Sequence, residues 1–241
     1  MKKICFTFDD SLQSHYNVAK KLLRKNNLKG TFFVTSENLW DGERANSLMG
    51  KWGMAEKNFD FSLLKEFEQD GFEIGNHTLT HLNLNDLNES EIEYEISSMN
   101  NVLEEHGIKN VSSFCYPAYN VSDKVLNVVK KLGFSRARTG YDYYDSGWSR
   151  WDLKEKPSYA RKNLSYPSDS ENQWLIRPKG IFNFIYRYED FLDDFNNMEY
   201  NESAVFVFHG LKEPSLREDF EKVVSFVSKQ ESAISVNFRD I

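Results

Sequence analysis

The chain is short of most features that define specialised protein classes. It holds two cysteines in 241 residues, Cys5 and Cys115, too few for a disulfide framework to replace a core. Both fall inside runs that read as strands, where buried free thiols are common. Pro/Gly/Ser-rich linkers, low-complexity tracts and repeats of fixed period are all absent, so residues 1–241 are read as a single domain. The longest apolar run, Ala204 to Phe208, is far below the roughly 18 residues that a membrane-spanning helix needs. Met1-Lys2-Lys3 leads straight into Ile4-Cys5-Phe6 without the apolar stretch and cleavage site of a secretory signal, so a cytoplasmic location is expected. Positive charge is scarce too: 30 Lys and Arg against 37 Asp and Glu leave a net charge of −7, which argues against nucleic acid as a partner. Core formers, by contrast, are plentiful. Leu, Ile, Val and Phe together make up 64 of the 241 residues, above the roughly one-fifth below which chains tend to stay disordered.

Short β-rich runs alternate with amphipathic stretches of helical length, the pattern of a parallel sheet with crossover helices. Ile4 to Phe8 reads as a strand, Tyr16 to Lys25 as a helix with Val18, Leu22 and Leu23 on one face, and Gly30 to Val34 as the next strand. The grammar continues with a helix from Ser62 to Asp70, a strand Phe72 to Gly75, and a helix from Ser90 to His106 with Ile92, Ile96, Met99 and Leu103 at helical spacing. Ser112 to Tyr116 is a strand broken by Pro117; Ser122-Asp123 can cap a helix Lys124 to Leu132 that Gly133 stops, and Ser135 to Thr139 is another strand. After a long irregular stretch beyond Gly140, Gly180 to Phe182, a helix Tyr188 to Asn196, the strand Ala204 to Phe208, a helix Leu216 to Ser228 and a closing strand at Ser235 to Phe238 complete the pattern. In a parallel α/β barrel the loops after strands build the active site. The insertions Ser36 to Asp60 and beyond Gly140, carrying Trp40, Trp52, Trp148, Trp151 and Trp174, are therefore candidate substrate walls, although the same residues suit a core.

Three features sit just after predicted strands. Thr7-Phe8-Asp9-Asp10 places two carboxylates at the end of the first strand, where one can bind a metal and the other act as base; an aspartate there also suits a helix cap. Next, Asn76-His77-Thr78-Leu79-Thr80-His81 sets two histidines at i and i+4, which on one face of a helical turn offer two imidazoles to one cation. With Asp10 they would make a three-ligand site with an open position, the arrangement of a catalytic ion. Finally, Ala204 to Phe208 delivers His209, either a hydrogen-bonded core residue or, if the strand ends converge, a proton donor facing the same site.

Thr7-Phe8-Asp9-Asp10, His77-Thr78-Leu79-Thr80-His81, Phe114-Cys115-Tyr116-Pro117 and Phe208-His209 resemble the ordered motifs of the polysaccharide deacetylases, the NodB-homology or carbohydrate esterase family 4 domain. The resemblance runs from residue 6 to about 240, where Asn237 to Ile241 is similar to the family's closing strand. It implies a distorted (β/α)7 barrel, a divalent metal ion, often zinc, and hydrolytic removal of N-acetyl groups from an amino sugar in a polysaccharide, oligosaccharide or glycan precursor. By position, Asp9 matches the catalytic base, Asp10, His77 and His81 the metal ligands, and His209 the general acid. A backbone N–H near Tyr116 is the implied oxyanion donor. Many members have glycine where Ser11 stands. Many also carry Arg-x-Pro-Tyr at the third motif, where this chain has Cys115-Tyr116-Pro117-Ala118. Arg138, at the end of the following strand, resembles the arginine of members lacking that one and is expected to orient Asp9. The motifs do not distinguish acyl groups, so another amide hydrolase, a deformylase or a non-sugar amidase, is the alternative reading.

Overall fold

The computed structural model describes residues 1–36, 56–140, 173–182 and 186–241. Its first strand, β1 (Lys2–Asp9), is buried without interruption from Ile4. That explains the unbroken Ile-Cys-Phe-Thr-Phe, since a parallel strand covered on both faces has no polar side to alternate with. The other strands are β2 (Thr31–Val34), β3 (Glu73–Asn76), β4 (Ser113–Cys115), β5 (Arg136–Arg138), β6 (Gly180–Ile181), β7 (Ser203–Phe208) and β8 (Ala233–Ser235). They lie in the order β5-β4-β3-β2-β1-β7-β6, and every strand pair is parallel. β8 shares an edge of β1 with β2: it pairs with Lys2 to Ile4, and β2 with Thr7 to Asp9.

The segment Gln173 to Phe182 ties the two sides of the sheet together. Ile176 donates its N–H to the Ala137 carbonyl at 3.0 Å, and its own carbonyl accepts from Thr139 at 2.9 Å. A few residues on, Lys179 donates to Val205 at 2.8 Å, and Gly180 pairs with Phe206 of β7. The curled parallel sheet with its helices is the distorted (β/α)7 barrel that the motifs imply.

Helices follow the strands: α1 (Lys21–Lys25), entered through a π-helical stretch over His15–Lys20; α2 (Leu64–Gln69), entered through a 3-10 turn; α3 (Glu89–Glu105); α4 (Asp123–Lys131); α5 (Tyr188–Asn197); and α6 (Pro214–Val227). In α3 the predicted stripe of Ile92, Ile96, Met99 and Leu103 is buried, and Asn88 with Glu91 forms a capping box at its start. Ser122 holds the cap position of α4 without a side-chain cap bond. Gly133 ends that helix region with φ +85°, a conformation that favours glycine. No helix among the described residues is long and apolar enough to cross a membrane.

The period of two in the strands sorts side chains between an outer and an inner core. Outward, Phe8 stacks on Phe32 at 4.6 Å and on Phe208 at 5.5 Å, with Phe220 of α6 edge-on. Inward, Cys5, Phe33, Cys115, Ile176, Val205 and Phe238 fill the barrel. Asp9 follows Cys5 and Thr7 on this inner face. Both cysteines are free and buried.

The predicted closing strand at 235–238 lies earlier, at β8, and Phe238–Asp240 forms a 3-10 turn. The cause is the barrel bottom. Phe238 enters the inner core with its N–H on Thr31 Oγ1 at 2.8 Å, and Arg239 N–H reaches buried Glu73 at 3.0 Å. Trp40, Trp52, Trp148 and Trp151 lie outside the described residues. Trp174 packs against a core cluster and donates its indole N–H to the Phe134 carbonyl at 2.7 Å, so it is part of the scaffold.

Candidate active site

The C-terminal ends of β1, β3, β5 and β7 bring Asp9, Asp10, His77, His81, Arg138 and His209 to one rim. Successive strand residues point to opposite faces, so two adjacent aspartates need a backbone reversal to share a site. It is supplied by left-handed φ values of +80° at Asp10 and +56° at Ser11. The turn is held from several sides: Asn58 Nδ2 donates to the Asp10 carbonyl at 2.8 Å, and Phe59 N–H to that of Ser11 at 2.9 Å. Ser11 Oγ donates to the Thr35 carbonyl at 3.0 Å and accepts from the Thr35 N–H at 2.9 Å.

No helix forms over residues 77–81, contrary to the helical turn expected from the i, i+4 spacing. The two imidazoles converge instead through left-handed Thr78 (φ +66°) and His81 (φ +54°). Asn76 and Glu95 take up the backbone groups this irregular loop would otherwise strand. Asn76 Oδ1 accepts from Thr78 N–H at 2.7 Å, and the Glu95 carboxylate accepts from Thr80 N–H at 2.8 Å and Oγ1 at 2.7 Å. His77 Nε2 and His81 Nε2 then stand 3.6 and 3.2 Å from Asp10 Oδ1.

These three residues offer ligand atoms within 4.8 Å of one another. His77 Nδ1 is 2.8 Å from the Cys115 carbonyl, which can only accept, so Nδ1 carries the proton and Nε2 is the nitrogen turned to Asp10. Burial works against a charge on His77, but Cys115 and Asp10 outweigh it and raise its pKa well above the usual value. Burial likewise pushes Asp10 up, and His81 and His77 pull it well below the ordinary carboxylate range. A pocket that favours a carboxylate and positive charge beside it, with two imidazole nitrogens in reach, fits a small divalent cation.

The second half of the site is built around Asp9. Arg138 is fully buried, and its Nη2 lies 2.5 Å from both Asp9 oxygens. The same nitrogen is 2.9 Å from Cys115 Sγ. Burial pushes the Asp9 carboxyl up, but Arg138, helped by His77 and His209, holds it below its usual value. Burial in turn opposes charge on Arg138, and Asp9 more than compensates. His209 Nε2 stands 3.8 Å from Asp9 Oδ2.

Tyr116 is not brought into this group. Its N–H donates to the Arg138 carbonyl at 3.0 Å and its hydroxyl to the Trp174 carbonyl at 3.0 Å, with the ring in a core cluster. Both its donors are engaged by the fold, which leaves the oxyanion donor implied near Tyr116 to a neighbouring amide.

Two residues that the motif reading passes over touch the site. Tyr119 places its hydroxyl 3.1 Å from His209 Nε2. His15, buried at the start of the π-helical stretch, accepts from Leu12 N–H at 3.2 Å on Nδ1 and so donates from Nε2 to the His209 carbonyl at 3.1 Å. Beside it Ser14 Oγ accepts from Leu211 N–H at 2.9 Å, so adjacent residues pin both sides of the His209 segment. Lone residues in an amphipathic stretch give no sequence signal of such contacts.

Burial lowers the His15 pKa to about 4, against ~6.5 for a free imidazole. Between those values the unfolded chain binds more protons than the folded one, so stability falls as pH drops from about 6.5 to about 4, by about 3 kcal/mol from this group. Urea unfolding at pH 6.5 and 4.5 should show that decline in the wild type and a shallower one in His15→Gln. Equal slopes would refute the assignment.

Residues 1–137 match the sequence model of the family described as Polysaccharide deacetylase. Over 73 residues the chain is 42% identical to the chitooligosaccharide deacetylase of Azorhizobium caulinodans, covering 30% of this chain and 35% of that protein. Over 135 residues it is 27% identical to the peptidoglycan-N-acetylmuramic acid deacetylase PdaA of Bacillus subtilis, covering 55% and 44%. Each match spans less than half the relative's length. Among solved structures, the family 4 carbohydrate esterase of Streptomyces lividans aligns over 97% of this chain and 91% of its own, at 14% identity and a TM-score of 0.58. One from Bacillus anthracis aligns over 99% and 81%, at 15% identity and a TM-score of 0.58. At such identities the likeness is one of fold. With the model covering more than half of the sequence, the chain belongs to the polysaccharide deacetylase family.

Proposed function

We propose that this protein is a metal-dependent hydrolase that removes N-acetyl groups from an amino sugar, with zinc as its ion. The observation that carries the reading is the placing of one donor triangle, Asp10, His77 and His81, beside a buried Asp9–Arg138 pair and His209 at one barrel rim. A divalent ion held by that triangle supplies Lewis-acid polarisation of the acetyl carbonyl and a water of lowered pKa. Asp9, kept ionised by Arg138, accepts the proton of the attacking water. His209, protonated on Nε2, hands a proton to the departing amine, without which an amide nitrogen leaves poorly.

Charge developing on the acetyl oxygen calls for a fixed donor. In the turn Pro117–Tyr119 proline has no N–H and that of Tyr119 donates to the Tyr116 carbonyl at 3.1 Å, so the Ala118 amide is assigned this role in place of Tyr116. The membership of the family favours an acetylated sugar as substrate.

Purified protein incubated with N-acetylglucosamine, its tetramer, a nucleotide-linked N-acetylglucosamine and peptidoglycan fragments should release acetate from at least one. The release should vanish after chelation and return with zinc. Formate from formylated analogues, with no acetate from any sugar, would support the other amide hydrolase reading instead. Turnover that survives complete chelation would refute the metal.

A further inference from the structure

Tyr119 is locked in place by more contacts than a loop tyrosine needs. Its backbone takes a left-handed φ of +62°, next to Ala118 at +51°. Tyr119 N–H donates to the Tyr116 carbonyl at 3.1 Å, and its carbonyl accepts from Thr139 Oγ1 at 2.8 Å. The Arg138 guanidinium lies 5.6 Å from its ring centroid and 5.4 Å from that of Phe33. Gly140 closes against the ring, where an added Cβ would come within 2.5 Å of Tyr119 Cγ. All this aims one hydroxyl at His209 Nε2, 3.1 Å away, while His15 holds the backbone carbonyl of the same histidine. The ring that packs on the partner of Asp9 thus also holds His209.

We propose that Tyr119 is a positioning residue for His209, its hydroxyl holding Nε2 at the point where the leaving amine takes its proton. The inference rests on the reading of His209 as the general acid. A phenol suits the task because it can both give and accept. Its oxygen accepts from Nε2–H while the ring is an imidazolium. As the C–N bond breaks, the amine nitrogen replaces the phenol oxygen as acceptor and the proton passes from Nε2 to the amine. The phenol O–H then turns to donate to the emptied Nε2, which stabilises the neutral ring. Burial raises the pKa of Tyr119 well above the usual phenol value, so this proton stays on the oxygen.

Tyr119→Phe removes the hydroxyl and keeps the ring. The test compares the N-acetylglucosamine tetramer with 4-nitrophenyl acetate, whose leaving group departs as a stable anion and needs no proton. The variant is expected to lose about tenfold or more in kcat on the tetramer, with KM, zinc content and melting temperature close to wild type. On the ester its rate should be unchanged. Equal losses on both substrates, or full activity on the tetramer, would overturn the positioning role while leaving the deacetylase reading intact. A wild-type protein that hydrolyses the ester but releases no acetate from the tetramer or from any other of the acetylated sugars would overturn both; if another of them is the better substrate, it takes the tetramer's place in the comparison.

Discussion

His77→Ala should abolish zinc retention and acetate release together, whereas His209→Ala should keep its zinc and retain a residual rate about 10²–10⁴-fold below wild type. The contrast follows from where the two rings stand. His77 is buried, fixed by the Cys115 carbonyl through Nδ1, and turned toward Asp10 at 3.6 Å. Removing it deletes one of three donors and leaves the Asp10 carboxylate buried with less to balance its charge. His209 lies on the other side of Asp9, and its carbonyl is held by His15 and the Leu211 amide, two residues on, by Ser14. Its loss removes the proposed proton donor without touching the donor triangle. Metal analysis of both variants, alongside acetate release, decides the matter; equal metal loss in the two would contradict the division of roles.

The second large effect is expected at Arg138. Arg138→Ala leaves Asp9, with 1% of its surface exposed, as a buried carboxylate without its cation. Breaking a buried pair from one side typically destabilises by about 3–5 kcal/mol. Asp9 is held below its ordinary pKa in the wild type, so the pair's contribution is present at neutral pH and is lost as pH falls through the depressed value. Without Arg138 the burial that raises the Asp9 pKa is opposed only by the weaker pull of His77 and His209, and the carboxyl begins to hold a proton at higher pH. The proposed base is then lost, and the acid limb of the kcat/KM profile is expected to move to higher pH, with about 10²-fold or more lost at pH 6 and partial recovery at pH 9. Arg138→Lys should recover the charge but not the reach and planar placement of the guanidinium. A variant with full turnover, normal zinc content and an unshifted profile would remove Arg138 from the site.

Much of this architecture is legible in the chain. The runs that become β1, β2 and β7 announce themselves as largely apolar segments because strands buried on both faces carry no polar alternation. The helices show their buried stripes at helical spacing for the complementary reason, since each has one wet face. The order of Asp9-Asp10, His77 with His81, and His209 just after strands was enough to propose one site, because the strand ends of a parallel barrel share a rim.

What the sequence by itself determined is therefore the alternating fold and the identity of the residues at the strand ends. Tertiary structure alone decided how they meet. It set the left-handed turns that swing Asp10 and His81 inward, which no helical spacing foretells. It turned the Tyr116 amide to Arg138 and drew Phe238 into the barrel bottom in place of a longer last strand. It also placed Tyr119, His15 and Cys115 against the reacting groups. The physical reason is that periodicity records which side of an element is dry, a local property, whereas contacts between residues on different elements depend on register, turn geometry and the closing of the barrel.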